Sequence, residues 1–138
     1  MGSKYKKGDL LIHGYDIVEV SEMEKGEVSD LRDGYFCTGG RFTDDDFRPM
    51  TVDNFRVAQA VRDRYESIYK LGGNGLNFSA IHNAYGNLCY KIIDFQNAEK
   101  IEEAQAAWKE LEDFTDTIKN ACEAQRALKV GGIHIFGR

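Results

Sequence analysis

The sequence predicts an α+β protein in which a small N-terminal antiparallel sheet precedes long antiparallel helices and a short C-terminal strand. The first fifty residues hold seven of the fourteen glycines, which separate short apolar runs. From residue 51 onward, apolar residues recur at the period of a helix. We therefore expect an N-terminal β module over residues 1–50 and a helical hairpin or bundle over residues 51–138, which includes the closing strand. The two parts are expected to form one compact unit.

The β module begins with two apolar runs, residues 10–12 and 15–20, on either side of Gly14. Alternation in the second run places Val18 and Val20 on the same face of a strand. Two short runs separated by a glycine are typical of a β-hairpin.

Further turn signals follow in the same module. Residues 23–34 are rich in turn-forming residues, and we expect Gly39 and Gly40 to close a hairpin. A Lys-x-Gly-Asp opening, here at residues 6–9, is common ahead of the strands of SH3-like barrels. The sheet is therefore expected to be an SH3-like or partly open barrel.

Two helices are expected next. Either Thr51 or Asp53 can cap the first helix, and Gly72 with Gly73 ends it. Ser79 is expected to cap the second helix, whose apolar positions are 81, 85, 88 and 92.

The clearest pattern of the chain follows Asn97, where the spacing of apolar positions alternates between three and four. Those positions are Ile101, Ala104, Trp108, Leu111, Thr115, Ile118 and Cys122. This heptad stripe predicts a homo-oligomer through the long helix, with packing inside one chain as the alternative. The pattern leaves open whether residues 79–128 form one bent helix or two. Beyond a Gly-Gly pair, residues 133–136 are expected to form a strand that pairs with the N-terminal sheet.

The bulk composition limits the classes of function. A net charge of −5 argues against non-specific binding to nucleic acid, because such binding needs a basic surface. No apolar run approaches the ~20 residues of a membrane helix. The three cysteines have no pairing or zinc-ligand spacing, which indicates a reducing compartment and no metal or other cofactor. We expect a cytoplasmic protein.

The glycine-rich stretch LGGNGLNFS, residues 71–79, is the strongest candidate for a ligand site. It is not a Walker loop, because a helix precedes it and no Lys-Ser/Thr pair ends it. The helix start at Ser79 is suited to an anion, and Phe78 to stacking on a base. Three asparagines are suited to the polar edges of a base or ribose: Asn74, Asn77 and Asn83. The alternative is a helical corner in which Phe78 belongs to the core.

Arginines supply the positive charge that a phosphate needs. Arg56, Arg62 and Arg64 make the first helix the most basic element of the chain, and they are candidate phosphate ligands. Arg126 lies near the end of the long helix, where it could reach the pocket of a neighbouring copy. The alternative is a solvated face whose arginines pair with nearby carboxylates.

The chain carries no recognisable catalytic motif. His13, His82 and His134 lie in three different elements, and no nucleophile motif such as GxSxG accompanies them. The acidic run Asp44 to Asp46 reads as a solvated turn before a strand. We therefore expect a protein that is not an enzyme.

This order of elements resembles the phage-encoded anti-Thoeris and anti-CBASS cyclic-nucleotide sponge family. The features in common are a small N-terminal antiparallel sheet, long antiparallel helices and glycine-rich corners in a chain of this length. The resemblance implies a non-enzymatic hexamer that holds cyclic ADP-ribose isomers or cyclic oligonucleotides between its protomers. It lies in element order, so no family site residue is assigned to this chain.

Two hypotheses follow. The first is a binding protein that sequesters a nucleotide-derived signalling molecule and so inhibits bacterial immunity on behalf of a phage. Its partners would be a small anionic nucleotide-like ligand and further copies of itself. The alternative is an acidic inhibitor of a protein–protein interaction or a nucleic-acid mimic. Its phosphate mimics would be Asp44 to Asp46, Glu99, Glu102, Glu103, Glu110 and Glu112.

Overall fold

A computed structural model describes residues 2–34, 37–72 and 75–130 of the chain. The chain divides into two compact units: Met1–Gln59, which we call the sheet unit, and Ala60–Arg138, which we call the helical unit. A five-stranded antiparallel sheet lies at the N-terminal end and helices follow, which confirms the α+β class.

The strands of the sheet and the 3₁₀ turn between its last two strands are named in chain order. They are β1 (Leu10–His13), β2 (Asp16–Glu24), β3 (Glu27–Arg32), β4 (Cys37–Phe42), the 3₁₀ turn (Asp44–Asp46) and β5 (Arg48–Pro49). Their order across the sheet is β4-β3-β2-β1-β5. Because β5 contains a proline, which cannot donate to a ladder, its place at an edge of the sheet is the favourable one.

The stretch interpreted as turn-rich forms a hairpin instead. Residues 23–34 contain the end of β2 and all of β3, joined by Lys25 and Gly26 with φ values of 53° and 80°. Two consecutive positive φ values are typical of a type I′ turn, whose twist matches that of the flanking strands. Turn-forming residues dominated the sequence signal because a register shift after Val20 interrupts the apolar alternation of the hairpin.

The prediction that Gly39 and Gly40 close a hairpin was wrong. Both glycines lie inside β4, where Gly39 pairs with Asp30 of β3. Between this pair and the pair Val28–Phe42 the register shifts by one residue, which is a β-bulge. Glycine inside a strand often marks such a bulge, so the physical signal was present but was assigned to a turn.

One face of the sheet forms a compact apolar core. Its buried residues are Tyr5, Leu11, Val18, Val20, Val28, Leu31 and Phe47, with Met23 and Phe42 packed at the margin. The expected shared face of Val18 and Val20 is therefore confirmed. Ile12 points to the other face of β1 and is fully buried as well.

Three helices complete the described chain. They are α1 (Val52–Tyr69), α2 (Phe78–Asn97) and α3 (Ile101–Val130). The Thr51 hydroxyl accepts the backbone N–H of Asn54 at 3.1 Å, so Thr51 rather than Asp53 caps α1. Gly72, with φ 61°, follows the last turn of α1, as predicted.

Asn77, not Ser79, caps α2. The Asn77 side-chain oxygen accepts the N–H of Ala80 at 3.0 Å, and the helix begins at Phe78. Serine and asparagine are comparable N-caps, so the spacing of apolar positions could not separate two candidates so close in sequence.

Residues 79–128 form two helices, and the break lies at Glu99. The N–H of Lys100 donates to the carbonyl of Phe95, and the N–H of Glu99 donates to that of Gln96. With φ 60° at Glu99, these bonds form a Schellman motif. The sequence did not decide between one helix and two, because the residue in the left-handed conformation is a glutamate and not the glycine that usually marks a helix end.

The predicted stripe on α3 is largely buried within one chain. Its buried positions are Ala104, Leu111, Thr115, Ile118 and Cys122, and Ala107 joins them. Trp108 is half-buried and Ile101 is 56% exposed. The alternative of intramolecular packing therefore accounts for most of the stripe, and the homo-oligomer stays a prediction. The strand expected at residues 133–136 lies outside the described residues.

None of the three described helices is both long enough and apolar enough to cross a membrane.

Candidate ligand-binding site on the helical unit

Four aromatic side chains from α1 and α2 form a partly exposed cluster, which we call the aromatic face. Its members are Tyr65, Tyr69, Phe78 and His82. The Tyr69 and Phe78 ring centroids lie 5.2 Å apart, and the Tyr65 and His82 centroids lie 5.7 Å apart in an edge-to-face arrangement. Tyr65 and Tyr69 are separated by 6.1 Å, which joins the two pairs into one surface.

The buried ring of Tyr85 and the half-buried ring of Phe114 support the aromatic face. The ring of Tyr65 meets that of Tyr85 edge to face at 6.1 Å, and Tyr85 in turn lies 5.4 Å from Phe114 of α3. Tyr85 is fully buried, and its hydroxyl lies 2.6 Å from that of Thr115. Burial raises the pKa of Tyr85. Edge-to-face contacts of this kind fix the orientation of each ring.

The outer surface of the aromatic face is open to solvent. Tyr69 is 61% exposed, while Tyr65, Phe78 and His82 are half-buried. An exposed tyrosine ring held by two neighbouring rings can stack on a planar ligand at a small entropic penalty.

The start of α2 adjoins the aromatic face through Phe78, its first residue. Asn77 is exposed, but its side-chain oxygen is engaged by Ala80, which leaves the amide NH₂ for a ligand. Asn83 is exposed one turn further along α2. Asn74 lies outside the described residues.

Arg64 is held inside the helical unit by three groups. Its Nε donates to the Glu112 carboxylate at 2.7 Å, and one terminal nitrogen donates to the carbonyl of Ala60 at 2.9 Å. The guanidinium also lies over the Trp108 ring, 5.5 Å from its centroid. Its charge is therefore already compensated, and Arg64 and Phe78 contact different partners.

The other candidate arginines have carboxylate or carbonyl partners as well. Arg62 pairs with Glu66 at 3.2 Å, which agrees with the alternative of a solvated, ion-paired face. Arg56 lies 4.0 Å from Asp53, and both side chains are about three-quarters exposed (76% and 70%).

Arg126 forms a hydrogen bond with the backbone just beyond the end of α1. One terminal nitrogen donates to the carbonyl of Leu71 at 2.6 Å. A cation at this place satisfies a free carbonyl and interacts favourably with the negative end of the helix dipole. This contact lies within one chain.

Of the predicted site residues, the structure brings Phe78 and Asn77 to the aromatic face and gives the arginines separate partners. His82, Tyr65 and Tyr69 were not among the predicted ligand-binding residues. Their signal was two aromatic pairs at i, i+4 spacing on consecutive helices, which favours contact along each helix face.

The described histidines, His13 and His82, lie in different elements, and His134 lies outside the described residues. His13 packs in the sheet unit between the rings of Phe42 and Phe47, at 5.8 and 5.6 Å. Within residues 2–34, 37–72 and 75–130, no three metal-binding side chains come together.

No protein-family model, curated protein or solved structure matches the chain.

Proposed function

We propose that this protein is a non-enzymatic binding protein that sequesters a small, anionic, nucleotide-derived signalling molecule. The ligand class is a cyclic oligonucleotide or a cyclic ADP-ribose type molecule, held without turnover in the cytoplasm. Such a protein would serve a phage by removing the signal of a bacterial defence system.

The observation that carries this proposal is the aromatic face beside the exposed start of α2. A base would stack on Tyr69 and Phe78, and each stacked base contributes roughly 1–3 kcal/mol. The free amide of Asn77 and the side chain of Asn83 would donate to polar edges of the ligand. Backbone N–H groups at the start of α2 would face its phosphate.

The ion pairs of the helical unit limit the part that arginines can play. Arg64 would have to leave Glu112 and Trp108 before it could bind phosphate, so we assign it no direct contact with the ligand. Arg62 pairs at the surface, where an ion pair contributes little, and a phosphate could replace Glu66 at small free-energy cost.

Native mass spectrometry tests the proposal with cyclic dinucleotides, cyclic trinucleotides and cyclic ADP-ribose isomers. We expect a whole-number complement of one ligand class, released chemically unchanged on denaturation. Tyr69→Ala should weaken binding by about tenfold or more, because it removes one stacking surface. The matched control is Leu10→Ala, which shortens an apolar side chain of similar exposure (53% against 61% for Tyr69) on β1, a strand that belongs to neither the aromatic face nor α3.

Failure of every ligand to bind would contradict the proposal, as would equal binding by the Tyr69→Ala and Leu10→Ala variants. The alternative, an acidic inhibitor of a protein–protein interaction, would instead give a partner captured from host lysate at low salt and lost at high salt. A small-molecule affinity that does not depend on salt would exclude that alternative.

The homo-oligomer through α3 is a second part of the proposal. Most of the stripe is buried within the chain, so its remaining support is the exposed Ile101 and the element-order resemblance. Sedimentation velocity would give a single multimeric species if the proposal is correct, and a 15.6 kDa monomer if it is not.

We propose further that the sheet is an SH3-like, partly open barrel. Its support is the strand order, in which a short β5 pairs with β1 after a 3₁₀ turn. Among the described residues, β4 and β5 are the two edges, which supports the open form.

A further inference from the structure

The first residues of the chain lie against two turns of the sheet unit. The backbone N–H of Ser3 donates to the carbonyl of Gly26, in the β2–β3 turn, at 2.7 Å. The Ser3 hydroxyl donates to one oxygen of Asp44 at 2.5 Å, and the N–H of Lys4 donates to the other oxygen at 3.1 Å. One carboxylate of the 3₁₀ turn therefore holds two consecutive residues.

The next residue, Tyr5, is anchored in the apolar core of the sheet. Tyr5 is buried, and its ring packs edge to face on Phe47 with centroids 5.8 Å apart. Its N–H donates to the Ser3 hydroxyl at 3.0 Å, so the serine bridges Tyr5 and Asp44. Residues before Tyr5 have fewer packing contacts, since Gly2 and Lys4 are exposed and Ser3 is half-buried.

This segment lines one side of a partly open cavity of about 170 Å³. Its lining combines the segment itself with the 3₁₀ turn, the start of β3 and the end of β4: Gly2, Ser3, Glu27, Phe42, Thr43, Asp44 and Asp45. Phe42 stands at the margin of the sheet core, so movement of the segment would expose the edge of that core.

We propose that residues 2–4 form a strap, which Asp44 latches beside this cavity and which opens about Tyr5 while the sheet stays folded. The strap is a local device of the sheet unit and does not depend on the ligand proposed for the helical unit. The Asp44 carboxylate accepts two of the strap's hydrogen bonds, and the bond from the Ser3 N–H to the Gly26 carbonyl is independent of it. Substitution of Asp44 should therefore loosen the strap at Lys4 and Tyr5.

The charges around Asp44 agree with a latch that is closed at neutral pH. The Ser3 hydroxyl and then the Lys4 N–H hold the pKa of Asp44 below its usual value of 3.8, and the charge of Lys4 adds to this. The other charged groups near this region are the acidic Glu27, Asp45 and Asp46 and the basic Arg41 and Arg48. Arg41 pairs with Glu27, and Arg48 donates to the carbonyl of Asp45. A lowered carboxyl pKa stabilises the latched form above pH 3.8, and that contribution is lost as the pH falls through the lowered pKa.

Amide hydrogen exchange measured by NMR on the full chain tests the strap. In Asp44→Ala, the Lys4 and Tyr5 amides should exchange at least about tenfold faster, because a hydrogen bond to a charged group stabilises the closed form by that factor or more. The amides of the β2–β3 pairing should keep their rates. The matched control is Asp45→Ala in the same 3₁₀ turn, which should leave the Lys4 and Tyr5 rates within about twofold.

Equal rates in the two variants would overturn the proposal, and so would a parallel rise across the β2–β3 amides. A titration of the unsubstituted protein adds a test that requires no variant to fold. The Lys4 amide shift and the Asp44 carboxyl shift should move with one midpoint below pH 3.8. Separate midpoints would show that Asp44 does not latch the strap.

Discussion

The hydroxyl of Tyr85 lies 2.6 Å from that of Thr115, and both side chains are buried. Thr115 also donates to the carbonyl of Leu111 at 2.8 Å, so Tyr85 is the donor to Thr115. This direction of donation means that removal of one hydroxyl group does not have the same effect as removal of the other. Loss of Thr115 would leave a buried donor without an acceptor, whereas loss of the Tyr85 hydroxyl would leave Thr115 bonded to Leu111.

Substitutions at this pair should therefore have unequal effects. Tyr85→Phe should lower the free energy of unfolding by about 1 kcal/mol and Thr115→Val by about 2 kcal/mol. The double variant should cost less than the sum, because the two residues share one hydrogen bond. Urea unfolding followed by circular dichroism measures all three variants, and a larger loss for Tyr85→Phe would contradict the assigned donor.

The same tyrosine gives a pH dependence. Its pKa is raised by burial above the usual value of 10.0, so the unfolded chain loses this proton first as the pH rises. Stability should be unaffected by this group below pH 10 and should fall above it. The fall attributable to Tyr85 is the difference between the unsubstituted protein and Tyr85→Phe, measured by urea unfolding from pH 8 to 11. No difference in slope above pH 10 would contradict the direction of the shift.

Arg64 is held by contacts within the helical unit, whereas Arg62 is a surface residue. Substitutions at the two positions should therefore have different effects. Arg64→Ala removes the ion pair with Glu112 and the contact with Trp108, and it should cost about 1 kcal/mol of stability. It should also change the fluorescence of Trp108, the only tryptophan of the chain. Arg62→Ala, the control, should cost less than about 0.5 kcal/mol and leave the fluorescence unchanged. Equal effects would show that Arg64 is no more embedded than Arg62.

At the scale of elements, the break between α2 and α3 depends on a left-handed residue that is not glycine. A side chain in this conformation carries strain of roughly 1 kcal/mol, which glycine avoids. Glu99→Gly should therefore raise the free energy of unfolding by about 0.5–1 kcal/mol. Glu99→Ala keeps the strain and serves as the control, with a change near zero in thermal unfolding. Destabilisation by glycine would mean that the Glu99 side chain stabilises the break through contacts of its own.

The elements differ in how far the sequence could predict them. The 3.6-residue period identified all three helical segments, because amphipathic helices carry a long repeated signal. The prediction for Gly39 and Gly40 failed because a glycine pair is compatible with both a bulge and a turn. The sequence does not show which strand pairs with these residues, and that pairing distinguishes the two. The sequence did not predict the position of the break at Glu99, because the hydrogen bonds that form it are made by backbone groups alone.

The candidate site was predictable only in part for a related reason. Phe78 and Asn77 stood out by their place beside a glycine-rich corner. Tyr65 and Tyr69 were read as part of a helix face, and their exposure depends on how α1 rotates toward α2. The carboxylate partner of Arg64 lies 48 residues away on α3, a contact that spacing along one helix cannot reveal.

At the scale of the whole molecule, a sheet unit and a helical unit each have features suited to a separate task. The sheet unit has a closed apolar core and a terminal segment latched by one carboxylate. The helical unit has an aromatic face that packs on the buried ring of Tyr85. The central claim is that this face binds a nucleotide-derived ligand, since the proposed function depends on it.

The most direct test is a set of ¹H–¹⁵N correlation spectra of the labelled protein, recorded with a cyclic dinucleotide, a cyclic trinucleotide and a cyclic ADP-ribose isomer in turn. We predict that one ligand class produces saturable shifts, concentrated in residues 65–69 and 77–83. Spectra that stay unchanged with all three ligands, or shifts confined to the sheet unit, would contradict the claim.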